Sequence, residues 1–247
     1  MGFLNNSQNI TSVMLYAVIT GASQGIGKSI AAKLLKEGCT IIICGRDLGK
    51  LQALSNDWQK EYSAEKILCF RADLGNKNET VAFADYVLQN IPKVDILINN
   101  AGIFQPGNIS DEPEGLLEQL MSVNLYSAYH LTRTLLPKMK EQKQGHIFNM
   151  CSVASLKAYP NGGSYSISKY ALMGFSENLR EELKPHNIKV TSVCPGATYT
   201  PSWEGSNIEP ERIMEADDIA QMIWSAYNLS AQANVETIIM RPVKGDL

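Results

Sequence analysis

The sequence predicts a doubly wound α/β fold, in which a mostly parallel, seven-stranded sheet carries helices on both faces. Three observations support this prediction. Short β-branched runs alternate with helical stretches along the chain. The candidate strands are apolar throughout instead of alternating in polarity, which is typical of strands that helices cover on both sides. A glycine-rich segment directly follows the first strand, as in Rossmann-type sheets.

The short elements are predicted from these runs. Strands are expected at 15–20, 40–44, 66–70, 94–99, 145–150, 188–193 and 236–240. Helices are expected to follow the first two strands, over 25–37 and 47–60. Since crossovers between parallel strands are right-handed, few strand orders are possible.

Two long helices are predicted in the second half of the chain. The first is expected over 111–140, because Asp111 and Glu114 form a capping-box pattern at its start. The second is expected over 164–184, since Pro185 ends the helical pattern.

Length and composition indicate one domain over 14–247, preceded by a polar, Asn-rich tail over 1–13. The net charge of −3 does not favour nucleic acid or an anionic membrane as a partner. No apolar run approaches the roughly 20 residues that span a bilayer. The five cysteines form no CxxC pair, and the three histidines lack metal-ligand spacing. We therefore expect a cytoplasmic protein with reduced, buried thiols and no metal.

The glycine-rich segment has the spacing G-x-x-x-G-x-G and opens a predicted helix. Glycine permits a tight turn and a close approach to the backbone, and a helix N-terminus attracts phosphate. A tight strand–helix connection would need the same glycines, but the position after the first strand favours a dinucleotide site. The predicted contacts are Gly21, Ser23, Gln24, Gly25, Ile26 and Gly27.

The end of the second strand bears on the choice of dinucleotide. An acidic residue there favours NAD through the ribose 2′-hydroxyl, whereas an Arg accommodates the 2′-phosphate of NADP. Arg46 is the first charged residue after the strand, so we predict NADP(H). Asp47 follows it, and NAD(H) stays possible if that carboxylate turns inward and Arg46 points to solvent.

Three residues predict acid–base chemistry. Tyr165 and Lys169 are four apart on a predicted helix and therefore share a face. An ammonium near a phenol lowers its pKa, which suits proton transfer near neutral pH. Ser152 follows a strand at the sheet edge where such folds bind ligands, and its hydroxyl can hold a carbonyl oxygen against the tyrosine.

Together these residues resemble the short-chain dehydrogenases/reductases, in their core single-domain form, over about residues 14–241. Segment 20–27 is similar to the family's cofactor loop, and the Asn-Asn-Ala-Gly sequence at 99–102 is similar to the motif that steadies its central sheet. The thirteen residues from Ser152 to Tyr165 match the family's spacing.

The resemblance implies further roles. Asp73 and Leu74 correspond to the position that binds the adenine amino group, and Asn124 to an asparagine that holds a water linked to Lys169. Tyr165 would protonate the carbonyl oxygen as hydride reaches the carbon, while Lys169 also binds the nicotinamide ribose. The remaining implied cofactor contacts are Asn100, Ala101, Gly102, Pro195, Gly196, Thr198 and Thr200.

The implied function is an NADP(H)-dependent oxidoreductase that interconverts a carbonyl and a secondary alcohol in a small-molecule substrate. Two alternatives stay open: a 3-oxoacyl-thioester reductase of fatty-acid synthesis, and a regulator that binds the dinucleotide without turnover. Gln24 departs from the many NADP-preferring members that carry Arg or Lys at this position. The resemblance also implies a homo-oligomer, a dimer or tetramer, for which the long helices offer an apolar stripe of Leu116, Leu120, Leu131 and Leu135.

Overall fold

A computed structural model describes residues 14–203, 205 and 207–247, without the side chain of Ser202. Its centre is a seven-stranded sheet in which every neighbouring pair of strands is parallel. The strands are β1 (Tyr16–Thr20), β2 (Thr40–Gly45), β3 (Ile67–Arg71), β4 (Ile96–Asn99), β5 (Gly145–Met150), β6 (Ile188–Pro195) and β7 (Thr237–Met240). The doubly wound α/β prediction is confirmed, and each expected strand is present within two residues of its predicted bounds.

The strand order is β3-β2-β1-β4-β5-β6-β7, so the chain winds outward from β1 to β3 and then returns to place β4 beside β1. A crevice forms at the carboxyl ends of the strands where the winding direction reverses, and ligands of such sheets bind there. The ends of β1 and β4 therefore mark the expected position of a ligand.

Helices cover both faces of the sheet. On one face pack α1 (Gly25–Lys36), α2 (Leu48–Trp58) and α7 (Ala216–Tyr227); on the other pack α3 (Lys77–Asn90), α5 (Ser127–Gln142) and α6 (Gly163–Leu183). Strand β2 shows why its sequence is apolar throughout. Ile41 and Ile43 enter the first core cluster, whereas Ile42 and Cys44 enter the second.

The helix predicted over 111–140 begins later than expected. It starts as α4 (Leu116–Met121), because Gly115 before it has a left-handed backbone with φ of 83°. A π-helical turn at Ser122–Tyr126 then joins α4 to α5. The capping box predicted at Asp111 is therefore wrong. The helix over 164–184 is present as α6 within one residue of its expected bounds.

The leucine stripe predicted for oligomer contacts is also wrong, because all four leucines are buried in this chain: Leu116, Leu120, Leu131 and Leu135. The large apolar side chains that this helical layer exposes instead include Tyr126, Tyr129, Ile167 and Tyr170. The tail predicted over 1–13 lies outside the described residues.

Candidate active site

The glycine turn between β1 and α1 is a close-packed backbone cradle. Gly21 and Gly25 have positive φ values of 65° and 57°. A Cβ added at Gly27 would overlap both the Asn100 amide nitrogen and the Gly21 carbonyl oxygen. Gln24 provides no side-chain cap to α1, and the first turn of that helix has no acidic residue. The turn therefore fits a phosphate group, which needs a bare backbone and an uncapped helix N-terminus.

Asn100 fastens this turn to the end of β4. Its side-chain amide donates to the carbonyl oxygens of Thr20 at 2.9 Å and Gly21 at 3.1 Å. The Thr20 hydroxyl accepts in return from the backbone N–H groups of Asn100 and Ala101, both at 2.9 Å. The Thr20 hydroxyl also donates to the Ile98 carbonyl oxygen at 3.3 Å, so five hydrogen bonds hold the two strand ends together.

Gly102 connects this part of the site to the acid–base residues. A Cβ added there would lie 3.2 Å from the Asn124 Oδ1 atom and 3.4 Å from the Lys169 Nζ atom. The predicted cofactor segment therefore lies directly against the predicted catalytic lysine.

At the end of β2, the two residues that bear on the choice between NAD and NADP, Asp47 and Arg46, have different surroundings. The Asp47 carboxylate caps α2 by accepting from the Lys50 backbone N–H at 3.0 Å. Arg46 is exposed to solvent. The inward turn of Asp47 that would favour NAD is therefore not the arrangement in this structure.

Asp73 and Leu74 follow β3 at the same edge of the sheet. The Asp73 carboxylate accepts from the Gly75 backbone N–H at 3.0 Å, and the Leu74 side chain is buried. The structure places both residues at this edge, and the adenine contact stays a prediction.

Ser152, Tyr165 and Lys169 lie together at the carboxyl end of β5. A hydrogen bond between the Ser152 and Tyr165 side chains favours the phenolate, but burial is the larger effect and raises the pKa of Tyr165 to about 12. The Lys169 Nζ atom lies 5.9 Å from the Tyr165 ring centroid and donates to the Met150 carbonyl oxygen at 2.8 Å. Burial lowers the pKa of this lysine.

The expected lowering of the tyrosine pKa by Lys169 is therefore not found in this structure. The physical reason is desolvation, since the buried phenol loses more from the exclusion of water than it gains from Ser152. At neutral pH Tyr165 is a protonated phenol, which is the state of a proton donor.

Asn124 lies in the π-helical turn and is almost completely buried. Its Oδ1 atom accepts from the Ile103 backbone N–H at 2.8 Å, and its Nδ2 atom donates to the Ile103 carbonyl oxygen at 3.0 Å and to the Ser168 hydroxyl at 2.9 Å. The side chain thus anchors the segment after β4 to α6. The water link to Lys169 stays a prediction.

The segment after β6 crosses back to the glycine turn. Gly196 follows Pro195 and donates its N–H to the Met240 carbonyl oxygen at 2.8 Å. The Thr198 hydroxyl donates to the Gly196 carbonyl oxygen at 3.0 Å. Farther along, the Thr200 Cγ2 atom would lie 3.2 Å from a Cβ added at Gly25. The structure therefore brings Thr200 to the predicted phosphate site and keeps the Thr198 hydroxyl within its own turn.

Two aromatic side chains near Tyr165 were not among the predicted site residues. The Phe104 ring meets the Tyr165 ring edge-on, with centroids 4.8 Å apart, and it is 55% exposed. Tyr159 is close enough for its charge to raise the pKa of Tyr165. Phe104 stands in no motif or periodic pattern, so only its position in the fold shows its contact with Tyr165.

The thiol prediction agrees with the structure. The five cysteines are free, and four of them are buried: Cys39, Cys44, Cys151 and Cys194. Within residues 14–203, 205 and 207–247, no group of His, Cys, Asp or Glu side chains could hold a metal ion. The described helices include none long and apolar enough to cross a membrane.

Comparison with known proteins agrees with this architecture. The model of the short chain dehydrogenase family matches residues 15–211. The chain is 31% identical to a sepiapterin reductase of Chlorobaculum tepidum, over 93% of this chain and 97% of that protein. An uncharacterized oxidoreductase of Staphylococcus aureus is 31% identical, over 92% and 96% of the two chains. A metagenomic short-chain oxidoreductase, solved in complex with NADP, superposes with a TM-score of 0.81 at 31% identity, covering 93% of this chain and 97% of that one.

Proposed function

This chain belongs to the short-chain dehydrogenase family, and from that premise we propose that it is an NADPH-dependent reductase of small-molecule carbonyl compounds, with Tyr165 as the proton donor. One observation carries the proposal. The Ser152 and Tyr165 hydroxyl groups and the Lys169 ammonium group converge at the carboxyl end of β5, and Gly102 joins them to the glycine turn.

The preference for NADPH rests on Arg46. Its guanidinium is exposed at the end of β2, while the neighbouring Asp47 carboxylate is engaged by the N-terminus of α2. A guanidinium matches a phosphate in charge and geometry, and the free energy of that pairing has no counterpart in NADH. The metagenomic relative that was solved with NADP agrees with this choice.

In the proposed reaction, the site residues have separate roles. Bound NADPH supplies the hydride. The Ser152 hydroxyl holds the substrate carbonyl oxygen, and Tyr165 donates its phenolic proton to that oxygen as the carbon is reduced. A pKa of about 12 keeps the tyrosine protonated before the reaction, and the buried Lys169 ammonium stabilises the phenolate that is left afterwards. We expect Lys169 and Asn124 to take part in returning a proton to Tyr165.

A substrate panel followed by NADPH absorbance tests the proposal. The panel should contain aliphatic and aromatic ketones, aldehydes, a 3-oxoacyl thioester and, because of the relative named for it, sepiapterin. Tyr165→Phe is expected to lower kcat by about 10²–10⁴-fold while NADPH still binds. Normal turnover by that variant would refute Tyr165 as the proton donor.

The other candidate functions have less support. Reduction of a carrier-bound thioester calls for a basic surface near the site mouth, whereas the end of α5 that carries Lys138 and Lys140 lies at the amino end of β4, where Gln142 contacts Val94. A regulator without turnover has no need for the complete set of Asn124, Ser152, Tyr165 and Lys169. Turnover of the thioester in the panel, or binding of NADPH without any turnover, would favour these alternatives.

We also propose that the protein is a cytoplasmic homo-oligomer, a dimer or tetramer. The support is the group of apolar side chains exposed by α5, α6 and the turn before α5, namely Tyr126, Tyr129, Ile167 and Tyr170. Aromatic side chains are enriched in protein interfaces. Light scattering at the monomer mass would contradict this proposal.

A further inference from the structure

The start of α6 is held by a carboxylate that lies 52 residues earlier in the chain. The Glu112 Oε1 atom accepts from the Ser164 backbone N–H at 2.8 Å, and its Oε2 atom accepts from the Ser164 hydroxyl. Ser164 is in the first turn of α6 and directly precedes Tyr165. A carboxylate at a helix N-terminus is stabilised by the helix dipole and by charge-assisted hydrogen bonds.

Two glycines leave the space that this carboxylate occupies. A Cβ added at Gly163 would overlap the Glu112 Oε1 atom, and one added at Gly107 would lie 2.9 Å from the Glu112 Cγ atom. The Gly107 backbone N–H also donates to the Asn161 carbonyl oxygen at 3.0 Å. Any larger side chain at either glycine would push Glu112 away from the helix.

Segment 103–112 is therefore attached at both ends to the elements that carry the catalytic groups. At one end, Asn124 holds both backbone groups of Ile103. At the other end, Glu112 holds Ser164, and between them the Phe104 ring packs on the Tyr165 ring. The position of Tyr165 thus depends on this segment as well as on its own helix.

We propose that Glu112 is a positioning residue, which holds the first turn of α6 and thereby fixes the Tyr165 hydroxyl beside Ser152. The inference rests on the proposed function, in which Tyr165 donates the proton. A displacement of a reacting group by 1 Å can lower a rate by about 100-fold. Loss of the Glu112 contacts should therefore act on the proton-transfer step and leave the distant glycine turn intact.

The test compares Glu112→Ala and Glu112→Gln with the matched control Glu114→Ala, which removes an exposed carboxylate two residues farther along. Three quantities are measured for each variant: kcat and KM for a ketone, the Kd of NADPH, and hydrogen–deuterium exchange of the peptide that contains residues 163–170. The exchange measurement reports the backbone amides at the start of α6 and does not depend on turnover.

Glu112→Ala is expected to lower kcat by about 10- to 100-fold, with an unchanged NADPH Kd and faster exchange of that peptide. Glutamine keeps an acceptor for the Ser164 N–H, so Glu112→Gln should recover most of the rate. Glu114→Ala should behave as the wild type. Wild-type kcat and exchange in Glu112→Ala would overturn the inference, and so would a loss that is matched by weaker NADPH binding.

Two further arms keep the test decisive. If Glu112→Ala does not fold, Ser164→Ala takes its place, because it removes the hydroxyl contact alone. A smaller fall in kcat in Ser164→Ala supports the inference, and wild-type kcat and exchange in that variant overturn it. If the wild type reduces nothing in the panel, the proposed function fails, and the exchange difference between Glu112→Ala and Glu114→Ala decides whether Glu112 holds the helix.

Discussion

The half of the site that faces the expected cofactor and the half that faces the expected substrate are built differently. The cofactor half consists of strand ends and glycine turns, in which backbone atoms and the Asn100 and Thr20 side chains pack without spare room. The substrate half, around Tyr165, includes the rings of Phe104 and Tyr159, which are exposed to solvent. From this difference we expect the sheet to carry the shared chemistry and its connecting segments to carry the selectivity.

The largest expected effect tests the close packing of the cofactor half. Gly27→Ala places a methyl group onto the Asn100 amide and the Gly21 carbonyl. Overpacking of this kind costs about 1–3 kcal/mol, and the deformed turn should no longer bind NADPH. The control is Gly174→Ala in α6, where an added Cβ meets nothing within 4 Å. Calorimetric titration and thermal unfolding measure both effects; wild-type NADPH affinity in Gly27→Ala would contradict the packing argument.

The next effect concerns pH. Alcohol oxidation needs the Tyr165 phenolate, which is scarce at neutral pH because burial raises the pKa of this residue to about 12. The kcat/KM for oxidation should therefore rise by about tenfold per pH unit between about pH 7 and 9. Carbonyl reduction uses the protonated phenol and should stay flat over the same range. A plateau of the oxidation profile near pH 7 would mean that the free enzyme already holds a phenolate.

Arg46→Ala tests whether the cofactor half of the site selects NADPH over NADH. Loss of a charged hydrogen bond costs about 1.5–3 kcal/mol, so the KM for NADPH should rise by roughly 10- to 100-fold. The KM for NADH should hardly change, because NADH has no 2′-phosphate. Steady-state kinetics with both cofactors measure this difference. Equal changes in the KM values for NADPH and NADH would mean that Arg46 does not bind the 2′-phosphate.

The smallest effect is expected in the substrate half. Phe104→Ala removes an exposed ring beside Tyr165, and aromatic pairs contribute about 0.5–1.5 kcal/mol beyond burial. The kcat/KM for an aromatic ketone should fall by up to about tenfold relative to an aliphatic one. Phe104→Leu, which keeps an apolar side chain, should show how much of the change requires a ring. An unchanged ratio in both variants would remove Phe104 from the substrate site.

The sequence was sufficient to predict the sheet and the glycine turn that follows β1. Apolar strands with short spacers indicated a covered parallel sheet, and the turn from Gly21 to Gly27 is determined by residues next to one another in the chain. The predictions that failed depend on distant contacts. The helix start at Asp111 was wrong because Gly115 turns left-handed and Glu112 pairs with Ser164. The pKa of Tyr165 depends on burial, which spacing along a helix does not reveal.

The hydrogen bonds between Thr20 and Asn100 also have a consequence for the order of folding events during synthesis. Its partners are 80 positions apart, so a growing polypeptide displays the glycine turn long before the side chain that secures it has left the ribosome. Contacts this remote along a chain form slowly, because a long loop must close first. A dinucleotide binds only after the sheet is complete and the turn has closed. By mass action, its binding would shift the last folding equilibrium toward the folded state.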